Sequence, residues 1–368
     1  MQSKISPLAM AVKTVDSVMQ RHPVLMENWH YEVGVMLKAV EFVWKKTGNQ
    51  AYFDYLKKNV DYFVEDNGNI RTYTVTEFNL DQINTGKAVL TVFRETGEVK
   101  YKKAADTLRE QLKKHPRTSE GGFWHKQIYP SQMWLDGIYM QAPFYAEYAS
   151  LFNEPKAYQD IANQFELLFK HARDPKTGLL YHAWNEDKAQ RWANPETGCS
   201  PHFWGRAMGW YMMALVDTLD FIPVSAERDR LIDILQQLTK AVLGVQDRQN
   251  GLWYQVLDRG GDPGNYVEAS ASSMFVYALL KGLNRGYLDE SMREAVQRGY
   301  NGIMEHFVEI GADGHVHLNG ICSMAGLGKY KENMEYRDGS YEYYISEPVV
   351  ADDYKGVGPF IMACTECK

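Results

Sequence analysis

Two kinds of helical segment alternate along the chain, and this alternation constrains the fold more than any other feature. One kind is amphipathic. Leu231, Leu235, Leu238, Val242 and Val245 share one face of a helical pattern, with Glu227, Arg230, Gln237 and Lys240 interleaved. Tyr158, Ile161, Ala162, Phe165, Leu168 and Phe169 repeat it. The other kind is apolar nearly all round, as in "RAMGWYMMALVD" (206–217), "ASASSMFVYALLKG" (269–282) and "GPFIMACTE" (358–366). A helix without a polar face has to be buried on every side.

The connections alternate as well. Every second one carries a glycine followed by extended, often aromatic residues: "DNGNI" from 66, "EGGFWH" from 120, "KTGLLYHAW" from 176, "QNGLWYQ" from 249 and "ADGHVH" from 312. A unit recurring at roughly 55–75 residues signals repeated architecture. The patterns predict twelve helices, near 6–20, 31–47, 50–63, 81–95, 99–114, 132–152, 155–172, 204–220, 226–245, 268–285, 290–308 and 355–367. Six helical hairpins closing on themselves give an all-α double ring, the (α/α)6 barrel. The apolar helices form its inner ring and the amphipathic ones its outer ring. No Pro-, Gly- or Ser-rich linker divides the chain, so residues 1–368 read as one domain. In this arrangement the glycine-aromatic loops and the N-terminal ends of the inner helices gather at one mouth. Free N–H groups and partial positive charge make that mouth favourable to an anionic ligand.

Composition narrows the function. A formal net charge of -7 argues against a general nucleic-acid-binding surface. Aromatic residues reach 13%, which fits either a large core or a cleft whose rings stack on sugars. No stretch approaches the roughly 20 apolar residues of a membrane span, and no signal peptide is evident, so a cytoplasmic protein without a membrane partner is expected. Cys199, Cys322, Cys364 and Cys367 include one CxxC spacing without a second pair, which reads as buried thiols in a reducing compartment rather than a zinc site. Neither metal-ligand spacing nor a phosphate-binding glycine loop is present, and no cofactor is expected.

The predicted mouth collects a distinctive set of residues. "ENWHYEVG" brings His30 and Tyr31, and "NLDQINTG" brings Asp81. "FWHKQIYPSQMWLDG" brings Trp124, His125, Lys126, Trp134 and Asp136. Tyr181, His182, Trp184, His202, Trp204, Arg206 and Trp210 surround the next apolar helix, and His315 and His317 follow the last amphipathic one. Each has an ordinary reading. Asp81 can cap a helix, the histidines can bind loop backbone, Arg206 can pair with any carboxylate, and the tryptophans can be core wedges. Asp136 is harder to explain in this way, because an unpaired carboxylate within "MWLDGIYM" is costly to bury, although a structural ion pair is an alternative. Desolvation raises a carboxyl pKa, and a second carboxylate such as Asp81 raises it further. A group so tuned serves as general acid and then general base. Lys126, Arg206 and the histidines can bind an anionic substrate, and tryptophans can hold a sugar ring. Together these point to a small acidic oligosaccharide.

"RTSEGGFWHKQIYPSQMWLDGIYM" and "DPKTGLLYHAWNEDKAQRWANPETGCSPHFWGRAMGWYMMAL" closely resemble the unsaturated rhamnogalacturonyl hydrolases of glycoside hydrolase family 105. Weaker likeness extends through "ENWHYEVGV", "DNGN", "NLDQINTG", "GLWYQVLD" and "YEYYIS". The resemblance implies an (α/α)6 barrel. It also implies a glycosidase acting on a 4,5-unsaturated galacturonic acid at the non-reducing end of pectin-derived, rhamnogalacturonan oligosaccharides. Asp136 is then the catalytic residue, assisted by Asp81, and Tyr31, His125, Trp134, His182, Trp204, Arg206 and Trp210 line the site. The implied reaction hydrates an enol ether: Asp136 gives a proton to C4 and takes one from the water that attacks C5. One acid/base residue then suffices, where standard glycosidases use a separated pair. The sequence departs from the family at Asn185, where an acid is common, and between Asn319 and Glu335, a stretch expected near the departing sugar. The residues alone also fit three alternatives: a related unsaturated uronyl hydrolase with another leaving sugar, an epimerase on a similar ring with a histidine acid/base pair, or a non-catalytic saccharide sensor.

Overall fold

The computed structural model describes residues 5–329 and 331–368. The first four residues of the N-terminal stretch, and residue 330 within the divergent 319–335 segment, lie outside the described residues. The fold is the expected (α/α)6 barrel. In chain order its outer and inner helices pair as α1 (Pro7–Arg21) with α2 (Tyr31–Thr47), α3 (Gln50–Asp61) with α4 (Gly86–Thr96) and α5 (Val99–Lys114) with α6 (Leu135–Leu151). They continue as α7 (Ala157–Ala172) with α8 (Gly205–Thr218) and α9 (Ala226–Gly244) with α10 (Ala269–Asn284). The last pair is α11 (Arg293–His306) with α13 (Tyr354–Glu366), separated by the short α12 (Tyr341–Ser346). The inner helices contact one another in the order α2, α4, α6, α8, α10, α13, and α13 returns to α2, which closes the ring. Among the described residues no helix is long and apolar enough to cross a membrane.

Burial follows the two sequence patterns. Every residue of α8 is buried, whereas α9 buries only the stripe of Leu231, Ile234, Leu235, Leu238, Thr239 and Val242. The glycines of the five repeated loops, Gly68, Gly121, Gly178, Gly251 and Gly314, all have positive φ, between 74° and 93°. The turns that send the five outer helices after α1 back toward the ring thus use backbone that strains an L side chain.

Three predicted helix starts move by three residues or more, and two of these shifts matter for the site. Residues 132–134 form a strand, β1 (Gln132–Trp134), paired antiparallel with β2 (Ala183–Asn185), so α6 begins at Leu135. Residues 80–83 form a 3-10 turn, and α4 starts only at Gly86. Residues 290–292 form another, ahead of α11. Besides α12, four further strands were absent from the sequence pattern: β3 (Val308–Ile310) paired with β4 (Val316–Leu318), and β5 (Ile321–Cys322) paired with β6 (Val349–Val350). The four cysteines are free thiols.

The axis of the ring is charged below the mouth. Lys87 of α4 is 1% exposed, and its Nζ sits 3.8 Å from the centre of the Tyr139 ring. Burial pushes its pKa down from 10.5 to about 7, partly offset by Asp217. The unfolded chain therefore binds this proton more tightly, so the burial penalty is complete below pH 7 and fades as pH rises toward 10.5. Lys87→Met is expected to stabilise the protein by about 1–4 kcal/mol at low pH. Thermal midpoints measured at pH 6 and pH 9 check this: the gain should be larger at pH 6.

Candidate active site

Asp136 lies in the first turn of α6, at the mouth end of the ring. The β1–β2 ladder places it there. Trp134 pairs with Ala183, and the Leu135 N–H donates to the His182 carbonyl at 3.1 Å. This register sets the Asp136 and His182 side chains together, with His182 Nε2 3.2 Å from Asp136 Oδ2, off the line of a full hydrogen bond. His182 is the ion-pair neighbour of Asp136 among the described residues; no lysine or arginine reaches the carboxyl. The Asp136 side chain remains 15% exposed although its Oδ2 is buried.

Asp81 has a different environment. It sits in the 3-10 turn before α4, where Asn79 Oδ1 accepts its N–H at 3.0 Å, so Asp81 is capped rather than capping. The Asn79–Lys126 bridge and the Leu80 N–H to His125 carbonyl bond (3.1 Å) bring it beside the 125–126 loop. Lys126 Nζ is 2.6 Å from Asp81 Oδ2, and His125 Nε2 is 3.6 Å from Oδ1. Burial alone would raise the Asp81 carboxyl, but Lys126 and His125 outweigh it and hold it below the ordinary carboxylate range. The two aspartates are thus distinct: Asp81 is a clamped anion, and Lys126, expected on a substrate, is engaged with it. His125 faces both aspartates, yet burial drives its pKa down to about 4, so it is a neutral imidazole at physiological pH.

Aromatic planes frame the pair of sites. Trp134 stacks on both His125 (4.7 Å, 13°) and Tyr129 (5.0 Å, 8°), which lie 6.3 Å from each other, and it meets His182 edge-on at 5.2 Å. Trp204 meets His182 at 4.8 Å and donates its indole N–H to Gln255 Oε1 at 3.0 Å. Trp210 stacks on Tyr139 at 4.8 Å and meets the half-buried Tyr31 edge-on at 6.4 Å. Trp204 and Trp210 are each 1% exposed, so they form the wall behind the mouth and offer no open face to a sugar.

Arg206, also expected to bind substrate, is buried in the first turn of α8 over the Trp204 ring. It donates to the carbonyls of Cys322 and Ser323 and to Ser270 Oγ, which ties the divergent 319–335 segment to the inner ring. His317 is held by Asp352 (2.6 Å) together with Arg21 at the end of α1, on the rim. The sequence patterns gave no role to Tyr344 of α12, whose hydroxyl lies 2.8 Å from His182 Nδ1. Tyr129 and Gln255 were missed too. The Tyr-rich "YEYYIS" was the one available signal. A separate cavity of about 830 Å³ opens at the far end of the ring, beside Lys38, Glu41, Asp220 and Lys281. Within it Lys38 is paired to Glu41 at 2.9 Å and Lys281 to Asp220 at 2.7 Å.

The ring of paired helices gathers a carboxylate, histidines and tryptophans at one mouth, an arrangement suited to holding a saccharide. The family model for Glycosyl Hydrolase Family 88 matches residues 10–368, and the chain belongs to that family. It is 48% identical to a family 105 glycoside hydrolase of Clostridium acetobutylicum ATCC 824, over 97% of this chain and 98% of that one, with a TM-score of 0.94. It is 42% identical to the protein Atu3128 of Agrobacterium fabrum over 62% of this chain and 97% of the relative. It is 29% identical to the unsaturated rhamnogalacturonyl hydrolase YesR of Bacillus subtilis over 76% of this chain and 78% of that protein. The unsaturated glucuronyl hydrolase of Bacillus sp. GL1 shares the fold, with a TM-score of 0.71 at 13% identity. The chain is a glycosidase, and its substrate is a saccharide.

Proposed function

We propose that this chain, acting as one catalytic unit, releases a 4,5-unsaturated galacturonic acid from the non-reducing end of short rhamnogalacturonan-derived oligosaccharides. The observation that carries the reading is Asp136: a carboxyl at an inner-helix N-terminus, beside a histidine and aromatic rings, with no cationic clamp. Such a group is free to exchange a proton, whereas Asp81 is not.

In the proposed reaction Asp136 protonates C4 of the enol ether. Water attacks C5 and returns its proton to Asp136, so the residue is regenerated. The C5 hemiketal then opens: the bond from C5 to the ring oxygen breaks, C5 becomes a ketone, and C1 becomes a hemiacetal. Collapse of that hemiacetal to an aldehyde expels the neighbouring sugar, which leaves with the glycosidic oxygen. No second carboxylic acid is needed to protonate the leaving group, and Asp81 has no part in proton transfer. Its role is electrostatic, holding Lys126 in place along the mouth. Rhamnose as leaving sugar is supported by the likeness to the Bacillus subtilis enzyme named for that substrate.

The test is to incubate the purified protein with lyase-generated unsaturated rhamnogalacturonan disaccharide and follow the near-ultraviolet absorbance of the C4=C5 bond. Loss of the signal is expected. Persistence with this substrate, but loss with an unsaturated glucuronyl disaccharide, overturns the assignment of substrate. Binding without loss in either case overturns the catalytic reading.

A further inference from the structure

His182 has two nitrogens with two different partners. Nε2 faces Asp136 Oδ2 at 3.2 Å, and Nδ1 lies 2.8 Å from the Tyr344 hydroxyl. A neutral imidazole carries one proton, so the partner at one nitrogen decides what the other presents. If Tyr344 donates to Nδ1, the ring proton sits on Nε2 and points at Asp136. If Tyr344 accepts from Nδ1, a lone pair faces Asp136 instead.

The surroundings of Tyr344 favour the first arrangement. The residue is fully buried, and burial raises its pKa well above 10, so it is a neutral phenol with one proton to place. His182 Nδ1 is the hydrogen-bond partner recorded for that hydroxyl among the described residues. The ring is fixed from two sides. It stacks on Trp204 at 6.0 Å, and Gln255 Nε2 donates to the Tyr344 carbonyl at 3.0 Å while Gln255 Oε1 accepts from Trp204. Ser340 caps α12 by accepting the Tyr343 N–H at 3.1 Å. The hydroxyl is therefore held against His182 by a rigid frame built from α8, α12 and the 253–256 loop.

We propose that Tyr344 is a positioning residue: it donates to His182 Nδ1, fixes the Nε2–H tautomer and thereby keeps an N–H facing Asp136 Oδ2. With an N–H turned toward Oδ2, Oδ1 is the oxygen left to carry the proton that Asp136 transfers. Contacts of this kind are often misaligned in the resting enzyme and tighten around bound substrate. The inference rests on Asp136 being the acid/base residue, but the tautomer can be tested without substrate.

Histidine labelled with 15N in the wild type gives long-range proton–nitrogen correlations that report the tautomer, with the His182 signals assigned by their loss in His182→Asn. A protonated Nε2 and a bare Nδ1 are expected. Tyr344→Phe keeps the ring packing and should abolish that preference. It should lower kcat by about 10-fold or more while KM stays within about twofold. Tyr343→Phe on the same short helix removes a hydroxyl that accepts the Gly326 N–H at 3.0 Å, and should change neither readout. A wild-type ring protonated on Nδ1, or a Tyr344→Phe enzyme with unchanged tautomer and kcat, would overturn the proposal. A correct tautomer in a protein that turns over no unsaturated uronide would instead count against the proposed function.

Discussion

Asp136→Asn is expected to reduce turnover of the unsaturated disaccharide by about 10³-fold or more while the protein folds normally. The effect is large because one side chain performs two proton transfers. An amide can neither protonate C4 nor receive the proton of the attacking water. Asparagine is nearly isosteric with aspartate, and the side chain makes no lysine or arginine ion pair whose loss would unfold the site. Binding should accordingly survive, with KM changing far less than kcat. Loss of absorbance measured over hours, beside circular dichroism of the same sample, separates lost chemistry from lost fold. Near-normal turnover by this variant would remove Asp136 from the mechanism.

Arg206→Met is expected to act mainly on stability, at a cost of about 3–5 kcal/mol. The guanidinium is 1% exposed and holds the Cys322 and Ser323 carbonyls. It also lies near the fully buried Glu268, which accepts the Cys322 N–H at 2.9 Å and the Ala271 N–H at 2.6 Å. Methionine fills much of the same volume but leaves these carbonyls unpaired and Glu268 without its positive neighbour. A clear fall in the urea midpoint is therefore predicted. A role as direct clamp on the substrate carboxylate predicts the opposite pattern: KM rises steeply and the unfolding midpoint hardly moves.

The helical ring was legible because three of its inner helices, α8, α10 and α13, are apolar on nearly every face. Only burial inside a second ring accommodates segments such as "RAMGWYMMALVD". The start of α6 was misplaced because β1 continues the apolar run of the helix, and nothing in "QMW" distinguishes a short strand from a helical turn. That detail matters, since the β1–β2 register is what brings His182 to Asp136. The neighbours of Asp136 were legible as residue types but not as partners. Lys126 meets Asp81 across 45 positions by sequence number, and Arg206 meets Cys322 across 116. Tyr344 reaches His182 across 162 positions from a helix of six residues, too short to leave a periodic pattern. Tertiary pairing of this kind depends on ring closure, which local sequence does not encode.

The central claim is that hydration of the double bond, and not direct cleavage of the glycosidic bond, is the committed chemistry. Time-resolved proton magnetic resonance of the reaction in deuterium oxide tests this. The vinyl proton at C4 and the anomeric protons of the departing sugar report the two events separately. Hydration predicts that the vinyl signal disappears no later than the free sugar appears, with solvent deuterium incorporated at C4. Accumulation of free sugar while the vinyl signal persists would contradict it.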